Sequence, residues 1–530
     1  MGGQMEKVPT KRQFADVTTP WGHKERVYAD RPRNLAEMLA NTEVQHGRLE
    51  AVITPDSRLN YDQFATLAGH ASSGLYHNYG IRKGDRVALM LKNGWEYCVS
   101  FFALMRLGAI AVPLNIAYKG EEAAFQLSDS GAKMLIVDPE YRDIINEIRP
   151  EIEEVKNILA TDGADFLELL KEKAYKAVNA QVEEMDSAVI MYTSGTTGKP
   201  KGAVLSHKGL IAEAMCTSDL LDWRAGRDKH LCPVPLFHVT GLVMNFCGAV
   251  YAGIPILFMK RFNSAEALKV IEQEQVTTMI GVPTIMWLML NAPEFDHHKV
   301  SSLRSFAAGG SAAPEELLKA CREKLPGTEL CPGYGLTEAC GMISTTVSLD
   351  DALSHKGSAG RAIPLIETKV LDSSQRELPC GEAGELLVRG CQAFKGYWNN
   401  QEATRRTLVD GWVYTGDVAK TDEEGYVYIL DRMKDMINRG GEKVWSLEVE
   451  NVLYRNPKIL EAVAVGVPDA IFGEEVKAVI VLKPGAKATR EEIQEFCSLF
   501  LAKYKIPKYV EFREALPRNA AGKVIKRELK

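Results

Sequence analysis

Eleven residues, Tyr192-Thr-Ser-Gly-Thr-Thr-Gly-Lys-Pro-Lys-Gly202, carry the strongest chemical signal in this chain. Gly195 and Gly198 let backbone N–H groups converge on an anion with no Cβ in the way. Thr193, Ser194, Thr196 and Thr197 add hydroxyl donors, and Lys199 and Lys201 add charge. Together they read as a cradle for phosphate. It is not a Walker A loop, because Pro200 follows Lys199 where that motif needs Ser or Thr. The apolar run Ser187-Ala-Val-Ile-Met191 before it reads as a strand, so the loop leaves a strand end.

The loop resembles the signature of the adenylate-forming (AMP-binding) superfamily, which holds acyl-CoA synthetases, peptide-synthetase adenylation domains and beetle luciferases. Further motifs follow in the family's order: Gly333-Tyr-Gly-Leu-Thr-Glu338, Tyr414-Thr-Gly-Asp417, Leu430-Asp-Arg-Met-Lys-Asp435 and Pro517-Arg-Asn-Ala-Ala-Gly-Lys523. The resemblance implies a role for each. Gly310, Ser311 and Ala312 would edge an adenine slot on which Tyr334, between Gly333 and Gly335, offers its ring. Asp417 would accept from both ribose hydroxyls, with Arg432 as its partner. Thr337 would bind the α-phosphate. Glu338 would be the Mg2+ ligand, since magnesium takes one or two protein carboxylates plus substrate phosphates.

Lys523 is the catalytic candidate. A carboxylate attacking ATP brings two anions together, and a bridging cation stabilises the charge of the transition state. The carboxylate is itself the nucleophile, so no Ser-His-Asp arrangement is needed. Lys523 lies far beyond the phosphate loop, past the Arg432–Asp435 crossing, so a mobile C-terminal domain is implied. Lys434 occupies the family's hinge position, and Gly440 and Gly441 resemble the glycines beside the pantetheine arm of coenzyme A. Phe472, Lys503, Lys505 and Lys508 are weaker candidates for holding the CoA nucleotide.

Pro235-Leu-Phe-His-Val-Thr-Gly241 resembles the acyl-pocket motif, with His238 as an aromatic gate. Val239, Thr240, Gly309, Gly335 and Cys340 join it as pocket candidates. No Asp stands there to hold an α-ammonium group, and no cation is evident for a second carboxylate. The expectation is an AMP-forming acyl-CoA ligase. It would take a hydrophobic monocarboxylic acid, fatty acids foremost, with ATP, Mg2+ and CoA, and release pyrophosphate. Aromatic, alicyclic or steroid acids remain open as substrates. So do two other activities: an acyl-AMP ligase loading a carrier protein, and a non-catalytic nucleotide-binding relative.

The elements that must position these residues follow from periodicity. Arg86–Leu91, 109–112 and 133–137 read as strands, and Trp95–Leu107 and 121–128 as helices between them. A second β-α-β stretch places a helix at 264–275, a strand at 276–282 and a Pro-initiated helix at Pro283–Leu290. From about Gly357, strands at 367–371, 384–389 and 426–430 crowd together. After Asp431 comes an α+β pattern: helices at 447–454 and 490–501, strands at 461–465 and 476–482. The fold class is α/β. A large N-terminal domain (1–431) holds two β-α-β subdomains and a β-rich one. A hinge (432–435) joins it to a small, mobile α+β domain (436–530).

The 530 residues, 46% hydrophobic and 25% charged, exceed one compact domain. The net charge of −6 does not favour nucleic acid as a partner. Arg432–Lys530 holds 19 Lys/Arg against 14 Asp/Glu, a basic unit beside an acidic body. Ten scattered cysteines without a C-x-x-C pair favour a reducing cytoplasm over a zinc or disulfide framework. The start of the chain is polar, which argues against a signal peptide. Residues 231–259 carry no Lys, Arg, Asp or Glu, but three glycines and several prolines divide them. They read as a buried strand, turn and helix rather than a membrane span. The expected partners are small molecules, and the expected state is monomer or homodimer.

Overall fold

The computed structural model describes all residues except 1–6, Pro9, Lys11, Pro20, Trp21, His23, 172–177, Asn179, 194–199, His298 and 519–523. Two largely parallel sheets form the large domain. The first orders its strands Lys201–Ser206, Ser187–Thr193, Ile110–Pro113, Arg86–Met90, Met134–Val137 and Asn157–Ala160, and only the first of these runs antiparallel to its neighbour. The second runs from Arg361–Ala362 through Gly341–Thr345, Glu329–Leu336, Ser305–Ala308, Thr278–Gly281, His230–Cys232, Ile256–Phe258 and Glu50–Thr54 to Ser57–Asn60. Its middle is parallel and both ends are antiparallel hairpins.

Local signals set the helices. Trp95–Leu107 is buried along most of its length and stops at Gly108, whose φ of 65° lets the last turn close. Pro283–Leu290 starts on its proline, which lacks the N–H that a first turn could not satisfy. Tyr61–Tyr79 opens with a capping box between Asn60 and Gln63; such caps contribute about 1 kcal/mol.

The charge-free stretch behaves differently from its sequence reading. Between strands His230–Cys232 and Ile256–Phe258 lies a π-helix, Thr240–Cys247, continuing into the short helix Gly248–Ala252. The wide turn is braced from inside. Asn245 Nδ2 donates to Thr240 O at 2.7 Å, and Asn245 Oδ1 lies 2.7 Å from His230 Nε2. An amide oxygen can only accept, so Nε2 carries the proton, and Thr278 Oγ1 at 2.9 Å serves Nδ1. Burial pushes His230 down to about 4, which keeps the ring neutral. Phe246, at the other end of the π-helix, packs edge-on against Phe102 with ring centroids 5.5 Å apart.

An antiparallel sheet of Ile366–Leu371, Gly384–Gly390, Trp412–Thr421, Leu408–Val409 and Val427–Arg432 follows. The C-terminal region builds its own sheet from Ile437–Arg439, Glu442–Val444, Ile459–Asp469, Gly473–Leu482 and Tyr509–Phe512. Helices Ser446–Tyr454 and Arg490–Ser498 cover a separate core that includes Val449, Leu453, Ile480 and Ile493. Among the described residues no helix is long and apolar enough to cross a membrane.

Candidate active site

Parallel strands Ser305–Ala308 and Glu329–Leu336 are neighbours, with Ala308 opposite Pro332. Their carboxyl ends therefore deliver Gly309–Ala312 and Gly333–Tyr334 side by side, where open α/β sheets bind ligands. Gly310, Ser311 and Ala312 are exposed there, and Tyr334 is partly covered. Strand Glu329–Leu336 turns back antiparallel as Gly341–Thr345, pairing Gly335 with Met342 and Leu336 with Gly341. Gly335 is obligatory in this hairpin: a Cβ would sit 2.0 Å from Gly341 O. Thr337 and Glu338 ride on the one-turn helix Thr337–Ala339 at the hairpin tip. Cys340 closes the tip at φ 57°, a left-handed conformation rare outside glycine.

The ribose candidate is fully assembled. Asp417 and Arg432 are register partners on adjacent strands, with Arg432 Nε 3.2 Å from Asp417 Oδ1. Tyr334 donates its hydroxyl to Asp417 Oδ2. Burial, then the Asp417 charge, holds the Tyr334 phenol well above its ordinary range, so it remains a donor. A hydrogen bond to a charged group contributes about 1.5–3 kcal/mol. Tyr334 is thus tied by its hydroxyl end, and its ring packs partly against the core.

Around Glu338 the structure adds a residue that the sequence reading missed. Tyr397 donates its hydroxyl to Glu338 Oε1 at 2.7 Å, and Lys201 Nζ lies 5.3 Å from the centre of the Tyr397 ring. Backbone pairing creates this meeting: Trp398 N–H donates to Gly202 O at 2.7 Å, Lys395 N–H to Val204 O at 2.8 Å, and Phe394 N–H to Glu338 O at 2.8 Å. The segment 394–398 stitches the phosphate-loop hairpin to the Glu338 turn. Tyr397 carries no motif of its own, only a place in Phe394-Lys-Gly-Tyr-Trp398. Thr193 and Lys201 face each other across the base of the hairpin. Ser194, Gly195, Thr196, Thr197, Gly198 and Lys199 lie outside the described residues, as does Lys523.

His238 stands at the mouth of the π-helix, its ring 4.8 Å from Phe237 and its carbonyl bonded to Leu242 N–H at 2.8 Å. Val239 and Met244 are buried nearby, and Thr240 opens the π-helix. Cys340, a pocket candidate, sits at the hairpin tip. It is fully buried, and its Sγ lies 2.7 Å from where a Gly209 Cβ would be, so it packs on helix His207–Leu220.

That helix carries Glu213, which is also fully buried. Glu213 accepts from Thr217 Oγ1 at 3.1 Å and from Gln392 Nε2, and lies against Gly341. Burial raises its carboxyl to about 8 against the ordinary 4.5. The folded state keeps this proton through a range where an unfolded chain has released it, so stability falls as pH rises from about 4.5 to 8. Glu213→Gln removes that term and keeps the shape. The melting temperature of the variant minus that of wild type is expected to climb between pH 5 and 8, then level off. A pH-independent difference across pH 5–9 would refute the buried-acid assignment.

In the C-terminal region, Lys434 is exposed and Gly440 and Gly441 take left-handed φ values of 60° and 94°. Gly440 N–H donates to Phe472 O at 2.8 Å, which brings together the two glycines and the one aromatic expected near CoA. Lys505 and Lys508 are committed elsewhere, to Glu448 at 2.7 Å and Asp469 at 2.6 Å. No group of three His, Cys, Asp or Glu side chains among the described residues could hold a metal unaided.

Residues 39–398 match the AMP-binding enzyme family, and 448–523 match the AMP-binding enzyme C-terminal domain. The chain belongs to the AMP-binding enzymes. It is 38% identical over 501 residues to the long-chain-fatty-acid–CoA ligase FadD13 of Mycobacterium tuberculosis, covering 94% of this chain and 98% of that one. The crystal structure of an anthranilate–CoA ligase in complex with anthranoyl-AMP superposes with a TM-score of 0.88 at 29% identity, covering 94% and 96% of the two chains. The o-succinylbenzoate–CoA synthetase of Bacillus subtilis with ATP and magnesium gives 0.81 at 32% identity, covering 93% and 98%. Within the AMP-binding enzymes, this chain lies in the acid–CoA ligase branch: it is an AMP-forming acyl-CoA ligase that uses ATP and CoA.

Proposed function

We propose that this ligase activates a hydrophobic monocarboxylic acid, with fatty acids as the preferred class. The observation that carries the reading is the apolar, charge-free make-up of the chain around His238. From Leu231 to Met259 no side chain is ionisable as Asp, Glu, Lys or Arg, and the π-helix beside His238 buries its Leu, Val, Met and Phe side chains. A pocket lined from this segment would solvate an alkyl chain and offer nothing to a second carboxylate or an ammonium. The fatty-acid ligase named among its relatives supports the same class.

The proposed roles follow the geometry. Tyr334 and the Gly310–Ala312 edge hold adenine, and Asp417 with Arg432 holds ribose. Thr193 through Lys201 receive the phosphates, and Thr337 meets the α-phosphate. Glu338, a half-buried carboxylate oriented by Tyr397, suits Mg2+, which needs one or two such ligands beside the phosphates. When bound, the metal neutralises phosphate charge. The acid's carboxylate oxygen attacks the α-phosphorus, the bond to the β-phosphate oxygen breaks, and pyrophosphate leaves. Lys523 stabilises the meeting anions. CoA then approaches past Gly440 and Gly441; its thiol gives up its proton to water, the sulfur bonds to the acyl carbon, the bond from that carbon to the phosphate oxygen breaks, and AMP departs. The proposed division is residues 1–431 for adenylation, 432–435 as hinge and 436–530 as lid. A cytoplasmic location belongs to the same proposal, because the scattered thiols favour reducing surroundings.

The test is a pyrophosphate-release screen with CoA present, over saturated C4–C18 fatty acids, benzoates and steroid acids. Fatty acids are expected to give the largest kcat/KM, with thioester formed in step with AMP. A clear preference for benzoates, or AMP release without thioester, would overturn the reading.

A further inference from the structure

The strand Val427–Arg432 belongs to the large domain, yet its Asp431 side chain bonds to the lid. Asp431 Oδ2 accepts the Ser446 N–H at 2.6 Å, and Oδ1 accepts the Ser446 hydroxyl at 3.1 Å. Ser446 is the first residue of helix Ser446–Tyr454, and the residue before it, Trp445, supplies no side-chain cap. Helix N-termini leave N–H groups without intrahelical partners. Asp431 therefore caps the first lid helix from the other side of the 432–435 crossing, and it is 97% covered in doing so.

The contact continues inward. Lys526 Nζ donates to Ser446 Oγ at 2.6 Å and pairs with Glu450 Oε1 at 2.9 Å, while Glu450 also accepts the Ala464 N–H at 3.0 Å. Lys526 lies three positions after Lys523. The same stretch is fastened where the chain leaves and re-enters residues 519–523: Arg518 pairs with Val524, and Ile525 N–H donates to Pro517 O at 2.9 Å. One buried cluster thus joins the last strand of the large domain, the first helix of the lid and Lys526, three positions after Lys523 in sequence.

We propose that Asp431 is a positioning residue for the adenylation step: by capping the lid helix and reaching Lys526 through Ser446, it couples the orientation of the lid to the placement of Lys523. This rests on the reading of Lys523 as the adenylation lysine. A residue that held only the lid's own fold would affect both half-reactions. A residue that orients the lid for one of them affects their ratio.

The experiment compares Asp431→Ala, Asp431→Asn, Ser446→Ala and Lys523→Ala as full-length enzymes. Acid-dependent pyrophosphate exchange is measured with dodecanoate, and thioester formation with supplied dodecanoyl-AMP and CoA. Misplacing a reacting group by about 1 Å can cost about a hundredfold, so Asp431→Ala is expected to slow exchange about tenfold or more and thioester formation less than about threefold. Ser446→Ala should follow in the same direction. Asp431→Asn, which keeps an acceptor for the Ser446 N–H, should recover part of the exchange rate. Trypsin should also cut faster at Arg432 and Lys434 in Asp431→Ala. Equal losses in the two half-reactions would reduce Asp431 to a structural cap, and an unchanged ratio would overturn the proposal. Exchange surviving in Lys523→Ala would instead sink the underlying reading of the lysine.

Discussion

Replacing Lys523 by alanine is expected to cut acid-dependent pyrophosphate exchange by about 10²–10³-fold or more, the usual cost of losing one preorganised group from a developing charge. Thioester formation from supplied acyl-adenylate should stay close to wild type. The asymmetry comes from charge. In the first half-reaction a carboxylate approaches an already anionic phosphate, and repulsion is part of the barrier. A lysine ammonium bridging the two oxygens offsets it, most strongly where water is excluded. In the second half-reaction a thiol attacks a mixed anhydride whose carbonyl is neutral, so no second anion needs compensation at that point. The two assays separate these steps in one preparation. Exchange near the wild-type rate would remove Lys523 from the mechanism.

Glu338→Gln is expected to have the next largest effect, a loss of about a hundredfold in pyrophosphate release with a higher Mg2+ concentration at half-maximal rate. The amide keeps an oxygen for the Tyr397 hydroxyl, now 2.7 Å away, so the turn Thr337–Ala339 should hold its shape. What changes is the charge offered to a cation. The supplied-adenylate half-reaction handles no triphosphate and should be spared. An unchanged Mg2+ titration curve, with the rate lost all the same, would assign Glu338 to positioning rather than to metal binding.

The proposed site is read largely from local chemistry. The proposed phosphate loop, Gly333–Glu338 and Tyr414–Asp417 are short runs whose residue types suggest a use, helix Trp95–Leu107 stops where Gly108 requires, and helix Pro283–Leu290 starts where Pro283 requires. Tyr397 was not legible. It reaches Glu338 through backbone bonds between segments almost two hundred residues apart, Gly202 with Trp398 and Val204 with Lys395. Glu50–Thr54, far upstream, joins the second sheet beside Ile256–Phe258, and no periodicity announces such a partner. The π-helix escaped for a related reason. Its apolar residues satisfy an ordinary helical pattern, and the extra residue in the turn is held by Asn245 and His230, which are paired only in the fold.

By itself, the order of motifs along the chain determined that ATP chemistry happens here, and it puts the proposed catalytic lysine far from the proposed phosphate loop in sequence. Residue type and short-range spacing suffice for that, because glycines, hydroxyls and a lysine act on a phosphate wherever the backbone holds them. Only the tertiary structure decided which groups tune one another. Tyr334 meets Asp417, Tyr397 orients Glu338, Glu213 keeps its proton, and Asp431 caps the lid helix. Hydrogen bonds and desolvation act over a few ångströms, and sequence separation carries no record of those distances.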